Sequence, residues 1–339
     1  MELKTVLRDL CLSYGVNGCG QTGKMVRQLL SVYTDDIHSD ALGNVWGILP
    51  SADKQASTVL LEAHMDEIGF VVTDVTDGGF LRVAACGGVD NRTLSAARVT
   101  VFTDPPCNGV FCSVPPHLSK DGDKLPDLSD RAVDVGAANA GRVSVGTRVA
   151  FAPHFEEMLN GRVSAKALDN RAGVAAVLLA LDMLKGKALP VNVVVAFCTQ
   201  EELGLRGSKT ASFSIQPDAA LVVDVSFGHT PDAKKSECGE LGKGVMLGMS
   251  PILDAGMTDS LRRLATDRAI SYQYEVVGGA TGTDADAMTV TANGVPSALL
   301  SIPLRYMHTP NEVVSLSDIE ETARLIAAFV SDGEVPCHA

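Results

Sequence analysis

The chain has 339 residues, with 41 acidic side chains against 28 basic ones and a formal net charge of -13. This length suits one large domain or two ordinary ones, and 46% hydrophobic with 20% charged residues is typical of a globular protein. The acidic balance argues against nucleic-acid binding, which needs a basic surface. No apolar run approaches the ~20 residues of a membrane span, so we expect no membrane partner.

The eight cysteines are scattered along the chain and form no C-x-x-C pair. The first 12 residues read as an amphipathic helix and lack the apolar core of a signal peptide. Together these features favour a reduced protein with free thiols, located in the cytoplasm, over a disulfide framework.

Residues 1–67 have an α/β pattern. Leucine and valine spacing predicts a helix near the start and a second one at residues 24–33. Residues 58–63 (TVLLEA) predict a strand of the kind that is buried in a parallel sheet.

Residues 68–160 differ, because they consist of short β-type segments broken by turns such as Asp77-Gly78-Gly79. Strands are predicted at residues 80–84, 98–102 and 148–151, with no long helix. We therefore predict a small β-rich domain inserted between residues 1–67 and 161–339.

After residue 160 the α/β pattern resumes. A helix is predicted at residues 169–184, strands at 191–199, 219–225 and 295–302, and a closing helix at 316–330. Strands alternating with helices predict a mostly parallel sheet with helices on both faces.

Residues of the metal-binding types recur where these predicted strands end. They are His64 and Asp66, Glu201 and Glu202, Asp224, and His308, while Asp169 opens the long helix. In open α/β sheets, active sites lie beyond the carboxyl ends of the strands, so five separate segments are expected to meet in one crevice.

The chemistry of these groups suits a pair of divalent ions. Asp169 is the natural bridging carboxylate, with His64 and Asp224 on one ion and Glu202 and His308 on the other. Mixed histidine and carboxylate ligands fit Zn²⁺, Co²⁺ or Mn²⁺. Such a pair activates a water molecule and polarises a carbonyl group.

Two acids remain beside the predicted ions. Glu201 is placed to act as the general base that takes the proton of the water and passes it to the leaving amine. Asp66 lies two residues after His64, on the same side of an extended segment, and can accept a hydrogen bond from the His64 ring.

Each signal also has an ordinary explanation. A single H-x-D occurs by chance, paired glutamates commonly begin a solvated helix, and Asp169 can be a first-turn acid. Asp224 is harder to explain in this way, because an acid that closes a buried apolar strand is unfavourable unless it is bound or paired. The shared position at strand ends favours a site.

The same segments carry a family resemblance. They are HMDEIG at residues 64–69, KALDNRAG at 166–173, TQEELGLRG at 199–207, Asp224-Val225, GTDA at 282–285 and RYMHTP at 305–310. In this order, over nearly the whole chain, they resemble the motifs of the tetrahedral, or TET, aminopeptidases, which include glutamyl and deblocking enzymes.

The resemblance implies a discontinuous catalytic domain of the zinc-exopeptidase type (residues 1–67 and 161–339) and a β-rich, barrel-like dimerisation domain (68–160). It also implies the site roles given above, with two divalent metal ions. Short peptides are the implied substrates, and dimers that assemble into a hollow tetrahedral dodecamer are the implied oligomer.

Two alternatives remain open at this point. A related carboxypeptidase or aminoacylase would share the two-metal core, but its lid domain is inserted between the base and the last histidine. Here the insertion lies between His64 and Asp169. A non-catalytic assembly protein would have lost the base or a ligand, whereas Glu201 and all five candidate ligands are present.

Overall fold

A computed structural model describes residues 1–17, 20–118 and 125–333. Within these residues the α-helices are α1 (Leu3–Leu12), α2 (Gln21–Leu30), α3 (Ala137–Ala140), α4 (Leu168–Leu184), α5 (Arg206–Ile215), α6 (Ala255–Asp267), α7 (Ala285–Met288) and α8 (Leu316–Asp332). None of the described helices is long and apolar enough to cross a membrane.

The strands fall into a long first series and a second series that follows α4. The first comprises β1 (Ile37–Ser39), β2 (Val45–Leu49), β3 (Thr58–His64), β4 (Gly69–Val75), β5 (Phe80–Cys86), β6 (Arg98–Val101), β7 (Cys107–Phe111), β8 (Val133–Asp134), β9 (Arg148–Phe151), β10 (Phe155–Met158) and β11 (Arg162–Ala165). The second comprises β12 (Asn192–Cys198), β13 (Ala219–Phe227), β14 (Val245–Met249), β15 (Tyr272–Val276), β16 (Ser297–Arg305) and β17 (Glu312–Ser315).

The larger of the two sheets among the described residues has eleven strands. Its order is β1-β2-β12-β3-β13-β16-β17-β11-β10, with β14 paired to β16 and β15 paired to β14. The strands β12, β3, β13 and β16 are adjacent and parallel, and their carboxyl ends therefore lie at one edge of the sheet. The predicted α/β class is confirmed, although the strands that flank these four pair antiparallel, except for the parallel pair of β14 and β15.

Apolar side chains on both faces bury the parallel strands. In β3, Leu61 and Ala63 belong to the core beneath α4, whereas Leu60 packs on the opposite side with residues of α5 and α7. This division follows from the two-residue repeat of a strand, which sends successive side chains to opposite faces. The four strands read as continuous apolar runs for this reason, and the sequence could identify them.

The segment after β3 forms a closed barrel of β4, β5, β8, β7, β6 and β9, with its own apolar core. Its one described α-helix is the four-residue α3. The strand β10 lies within the predicted insert but pairs with β11 of the large sheet. The use of the barrel as a dimerisation domain stays a prediction.

Several elements differ from the sequence prediction. The second helix runs from Gln21 to Leu30 rather than over residues 24–33, because hydrogen bonds of the i to i-3 type turn the chain at Val32 and Tyr33. The strands β14 and β15 and the helix α6 were not predicted. The six cysteines in the described part of the chain are free, and Cys19 and Cys337 lie outside it.

A buried ionic network fixes the start of α4 against the N-terminal segment. Glu67 accepts hydrogen bonds from the Lys166 side chain (2.7 Å) and from the Gly15 backbone (2.7 Å), and it lies 3.7 Å from the Arg171 guanidinium. All three charged side chains are buried. Removing one partner of such a group leaves an uncompensated buried charge. The network therefore holds Glu67, which follows Asp66, against Lys166 and Arg171, which lie on either side of Asp169.

Candidate active site

His64 and Asp66 lie at the carboxyl end of β3, as the sequence predicted. The Nδ1 atom of His64 lies 3.4 Å from Asp66 Oδ1. The two oxygens of Asp66 also accept hydrogen bonds from the backbone N–H groups of Glu201 (3.1 Å) and Glu202 (3.3 Å). Asp66 is buried and joins the end of β3 to the loop after β12.

Asp169 occupies the second position of α4, where the backbone is not yet helical. The next residue, Asn170, donates a side-chain hydrogen bond to the Val223 carbonyl (2.7 Å) and accepts one from the Gly173 N–H (3.0 Å). These contacts attach the beginning of α4 to β13 beside Asp224. The Asp169 carboxylate is thereby directed into the crevice at the strand ends.

The two oxygens of Asp169 face different groups of side chains. Its Oδ1 atom lies 3.1 Å from His64 Nε2, which is itself 3.6 Å from Asp224 Oδ1. Its Oδ2 atom lies 3.4 Å from His308 Nε2, which is 3.4 Å from Glu202 Oε1. Within each group of three, the candidate ligand atoms lie within 4.8 Å of one another.

Each histidine ring has its Nδ1 atom next to an oxygen atom. The Gly88 carbonyl, in the barrel segment, lies 2.7 Å from His308 Nδ1, and Asp66 lies beside His64 Nδ1. When Nδ1 carries the proton, Nε2 of each ring is left as the free ligand atom. Both Nε2 atoms point toward Asp169, as a shared ligand requires.

The acids are crowded and buried, and their pKa values reflect this. Burial raises the pKa of Asp224 to about 6 and also raises the pKa of Glu202. Burial would raise the pKa of Asp169 too, but hydrogen bonds from His308 and His64 outweigh it and lower this pKa below its usual range. Burial lowers the pKa of His64, but its carboxylate neighbours, led by Asp169, raise it well above the usual value.

Glu201 shares the cavity with these groups and belongs to neither group of three. Burial raises the pKa of its carboxyl to about 10, and the charges of Asp224, Asp284 and Glu202 act in the same direction. Several carboxylates at such short range repel one another, and bound cations would offset this repulsion. The donor set of imidazole nitrogens and carboxylate oxygens therefore fits divalent transition-metal ions.

Glu312 is part of the site but was not predicted from the sequence. Its buried carboxylate accepts hydrogen bonds from the Asp169 N–H (3.1 Å) and from the His308 N–H (2.9 Å). It thus positions the shared carboxylate and one histidine of the second group. The contact between Gly88 and His308 was also missed, because a backbone carbonyl leaves no signal in the sequence.

The residues surround an open cavity of about 700 Å³. Six of the seven predicted site residues line it: His64, Asp169, Glu201, Glu202, Asp224 and His308. Asp66 lies behind them, in contact with His64. Further lining comes from β13, β15, the loop before α7 and the loop after β16, so the cavity extends well beyond the cluster of acids.

Comparison with known proteins identifies aminopeptidases as relatives of this chain. The profile of the M42 glutamyl aminopeptidase family matches residues 43–325. A lysyl aminopeptidase of Pyrococcus furiosus is 33% identical over 339 aligned residues, which cover 96% of each chain.

Two solved structures resemble the fold over nearly its full length. An aminopeptidase from the archaeon Desulfurococcus kamchatkensis has a TM-score of 0.90 and 33% identity, covering 98% of this chain and 95% of that one. The Pyrococcus horikoshii TET1 peptidase, described as assembling into a tetrahedron or a large octahedral shell, has a TM-score of 0.86 and 30% identity, covering 97% and 99%.

The fold, the cluster of metal-type ligands and these relatives define a peptide hydrolase of the aminopeptidase class. Among these enzymes, the chain belongs to the M42 glutamyl aminopeptidase family, and the family resemblance found in the sequence is confirmed. Metal dependence is consistent with this family and with the two groups of candidate ligands.

The contacts of Glu312 predict that its side chain supports metal binding. We expect Glu312→Gln to weaken binding of Zn²⁺ by about 10- to 100-fold, because an amide has one acceptor oxygen where the carboxylate has two. Competition between the protein and a fluorescent chelator measures the dissociation constant. The exposed Glu320→Gln on α8 is the control and should not change it. Equal constants for both variants would rule out this role.

Proposed function

We propose that the chain removes N-terminal residues from short peptides with two divalent metal ions bridged by Asp169. The observation that carries this proposal is the orientation of Asp169, whose two oxygens face separate groups of ligands. In the proposal His64 and Asp224 complete one site, and Glu202 and His308 complete the other. Zn²⁺, Co²⁺ and Mn²⁺ suit these ligands.

The residues divide the work of peptide hydrolysis between them. Metal ions held by these residues would activate a water and polarise the peptide carbonyl. Glu201 would accept a proton from the water as its oxygen adds to the carbonyl carbon, and would return that proton to the amine nitrogen as the C–N bond breaks. Asp66 accepts a hydrogen bond from the backbone of Glu201 and lies beside the ring of His64. It thereby keeps the proposed base and the proposed ligand close to each other.

The buried position of Glu201 fits a proton carrier. In the crowded cluster, burial raises the pKa of its carboxyl to about 10, and nearby cations lower such a pKa again. Glu201 lines the cavity but belongs to neither group of three candidate ligands, and this position supports the base role for Glu201 rather than for the other acids.

We further propose that the protein acts as a homo-oligomer in which dimers build a tetrahedral dodecamer. The support is the likeness to the P. horikoshii TET1 peptidase over 97% of this chain. The barrel of residues 68–160 would serve as the dimerisation domain. In such a hollow particle only short peptides reach the sites. A cytoplasmic location remains a prediction.

A carboxypeptidase or aminoacylase is less well supported. The barrel strands lie between His64 and Asp169, whereas β13, β14, β15 and β16 continue the large sheet between Glu201 and His308. This arrangement matches the aminopeptidase expectation. A non-catalytic role has no support in the site, because the candidate base and all five candidate ligands line one cavity.

Glu201→Gln is expected to lower kcat for an aminoacyl p-nitroanilide by about 10²- to 10⁴-fold, because the amide cannot accept the proton. Metal content should stay at the level of the unchanged protein, since Glu201 is not a proposed ligand. Steady-state kinetics and elemental analysis of the same sample measure both quantities. The exposed Glu156→Gln serves as control. Full activity in Glu201→Gln would contradict the proposed base.

Exhaustive chelation is expected to abolish activity, and added Co²⁺, Mn²⁺ or Zn²⁺ is expected to restore it. Because two ligand groups share Asp169, full activity should need two equivalents of metal per chain. Titration of the chelated protein, with activity recorded after each addition, counts them. Activity that survives chelation, or that is complete after one equivalent, would contradict a two-metal mechanism.

A further inference from the structure

The cavity continues beyond the proposed metal centre along β13. Asp224 and Ser226 are two residues apart on this strand, so their side chains lie on the same face, about 7 Å from each other along it. Both line the cavity, together with Glu275 of β15. A substrate side chain that leaves the reacting centre along β13 therefore meets Ser226 and Glu275.

Two serine hydroxyls hold the Glu275 carboxylate. The Ser226 hydroxyl donates to Oε1, and the Ser301 hydroxyl donates to Oε2 at 2.5 Å. Both serines are buried. Each carboxylate oxygen has two lone pairs and uses one of them here, so the group can accept further hydrogen bonds from a ligand.

The charge of Glu275 is not balanced within the described residues, where it forms no ion pair. Among the described residues that line the cavity, Glu237 is the other acid apart from Glu201 and the candidate ligands. It is exposed and pairs with Lys234 at 2.9 Å. No lysine or arginine occurs among the described residues that line the cavity. The far part of the cavity is therefore negative, and it disfavours an acidic side chain.

Part of the cavity lining is apolar. Met246, Val276, Val277 and Met307 line the cavity and offer contact surface for methylene groups. A long aliphatic stem that ends in a cation matches both features, because its stem packs on the walls while its charged end reaches the carboxylate. Lysine and arginine are the side chains with this chemistry.

We propose that Glu275 determines specificity and that the enzyme prefers peptides whose N-terminal residue is lysine or arginine. This inference rests on the proposed function, since it assigns the pocket that receives the side chain of the released residue. Ser226 and Ser301 hold the Glu275 carboxylate in place and so reduce the conformational freedom that is lost when the cationic side chain binds.

The test compares kcat/KM for lysyl, arginyl, leucyl and glutamyl p-nitroanilides with the metal-loaded protein. The unchanged protein should hydrolyse the two basic substrates best and the glutamyl substrate worst. Glu275→Gln should lower the ratio of lysyl to leucyl kcat/KM by about 10- to 100-fold, the size expected for one charge-assisted hydrogen bond. Glu240→Gln, at a partly exposed acid that pairs with Lys235 and does not line the cavity, is the matched control.

The outcomes separate this inference from the proposed function. Failure to cleave any of the four substrates would contradict the aminopeptidase itself. A preference for leucyl or glutamyl substrates would overturn the inference and leave the activity standing. Equal losses on all substrates in Glu275→Gln would also overturn it, because they would indicate a structural role or binding of the α-amine. If Glu237→Gln lowered the lysyl to leucyl ratio and Glu275→Gln did not, then Glu237 would determine the specificity and the inference would be wrong.

The dependence of the substrate preference on salt gives a second, independent measurement. Attraction between a cationic side chain and a carboxylate is screened by salt. The lysyl to leucyl ratio of the unchanged protein should therefore fall as sodium chloride rises, and Glu275→Gln should remove most of this fall. A ratio that is independent of salt in both proteins would contradict an electrostatic pocket.

Discussion

The central physical constraint in this protein is the position of Asp169 between two groups of candidate metal ligands. One carboxylate oxygen faces His64 and Asp224, and the other faces Glu202 and His308. So many acids in one buried cluster repel one another, and burial already raises the pKa of Glu201 and Asp224. Cations in both groups would remove this repulsion, so the geometry and the electrostatics point to the same chemistry.

The rest of the fold supports the position of Asp169 between the two groups. Four parallel strands end at one edge, where most of the candidate ligands lie, while the buried network of Glu67, Lys166 and Arg171 holds the start of α4 against the N-terminal segment. Glu312 then binds the backbone of both Asp169 and His308. The barrel segment contributes as well, since the Gly88 carbonyl orients the His308 ring. Changes far from the cavity can thus alter the site through these contacts.

The sequence predicted much of this arrangement, for physical reasons that differ between residues. The strands β3, β12, β13 and β16 are buried on both faces, which leaves continuous apolar runs, and the polar residues after each run stood out. Glu312 left no such signal, because an acid four residues after His308 also fits an exposed loop. The Tyr272–Val276 strand lies at the sheet edge and lacks the continuous apolar run of the buried strands, and neither β15 nor the position of Glu275 was predicted.

A crystal structure of the Co²⁺-loaded protein, with anomalous maps collected at the cobalt edge, tests the central claim most directly. The anomalous maps are expected to show two cobalt peaks per chain, about 3.5–4 Å apart. Asp169 should contact both ions, with His64 and Asp224 on one and Glu202 and His308 on the other. A single peak, or two peaks that do not share Asp169, would contradict it.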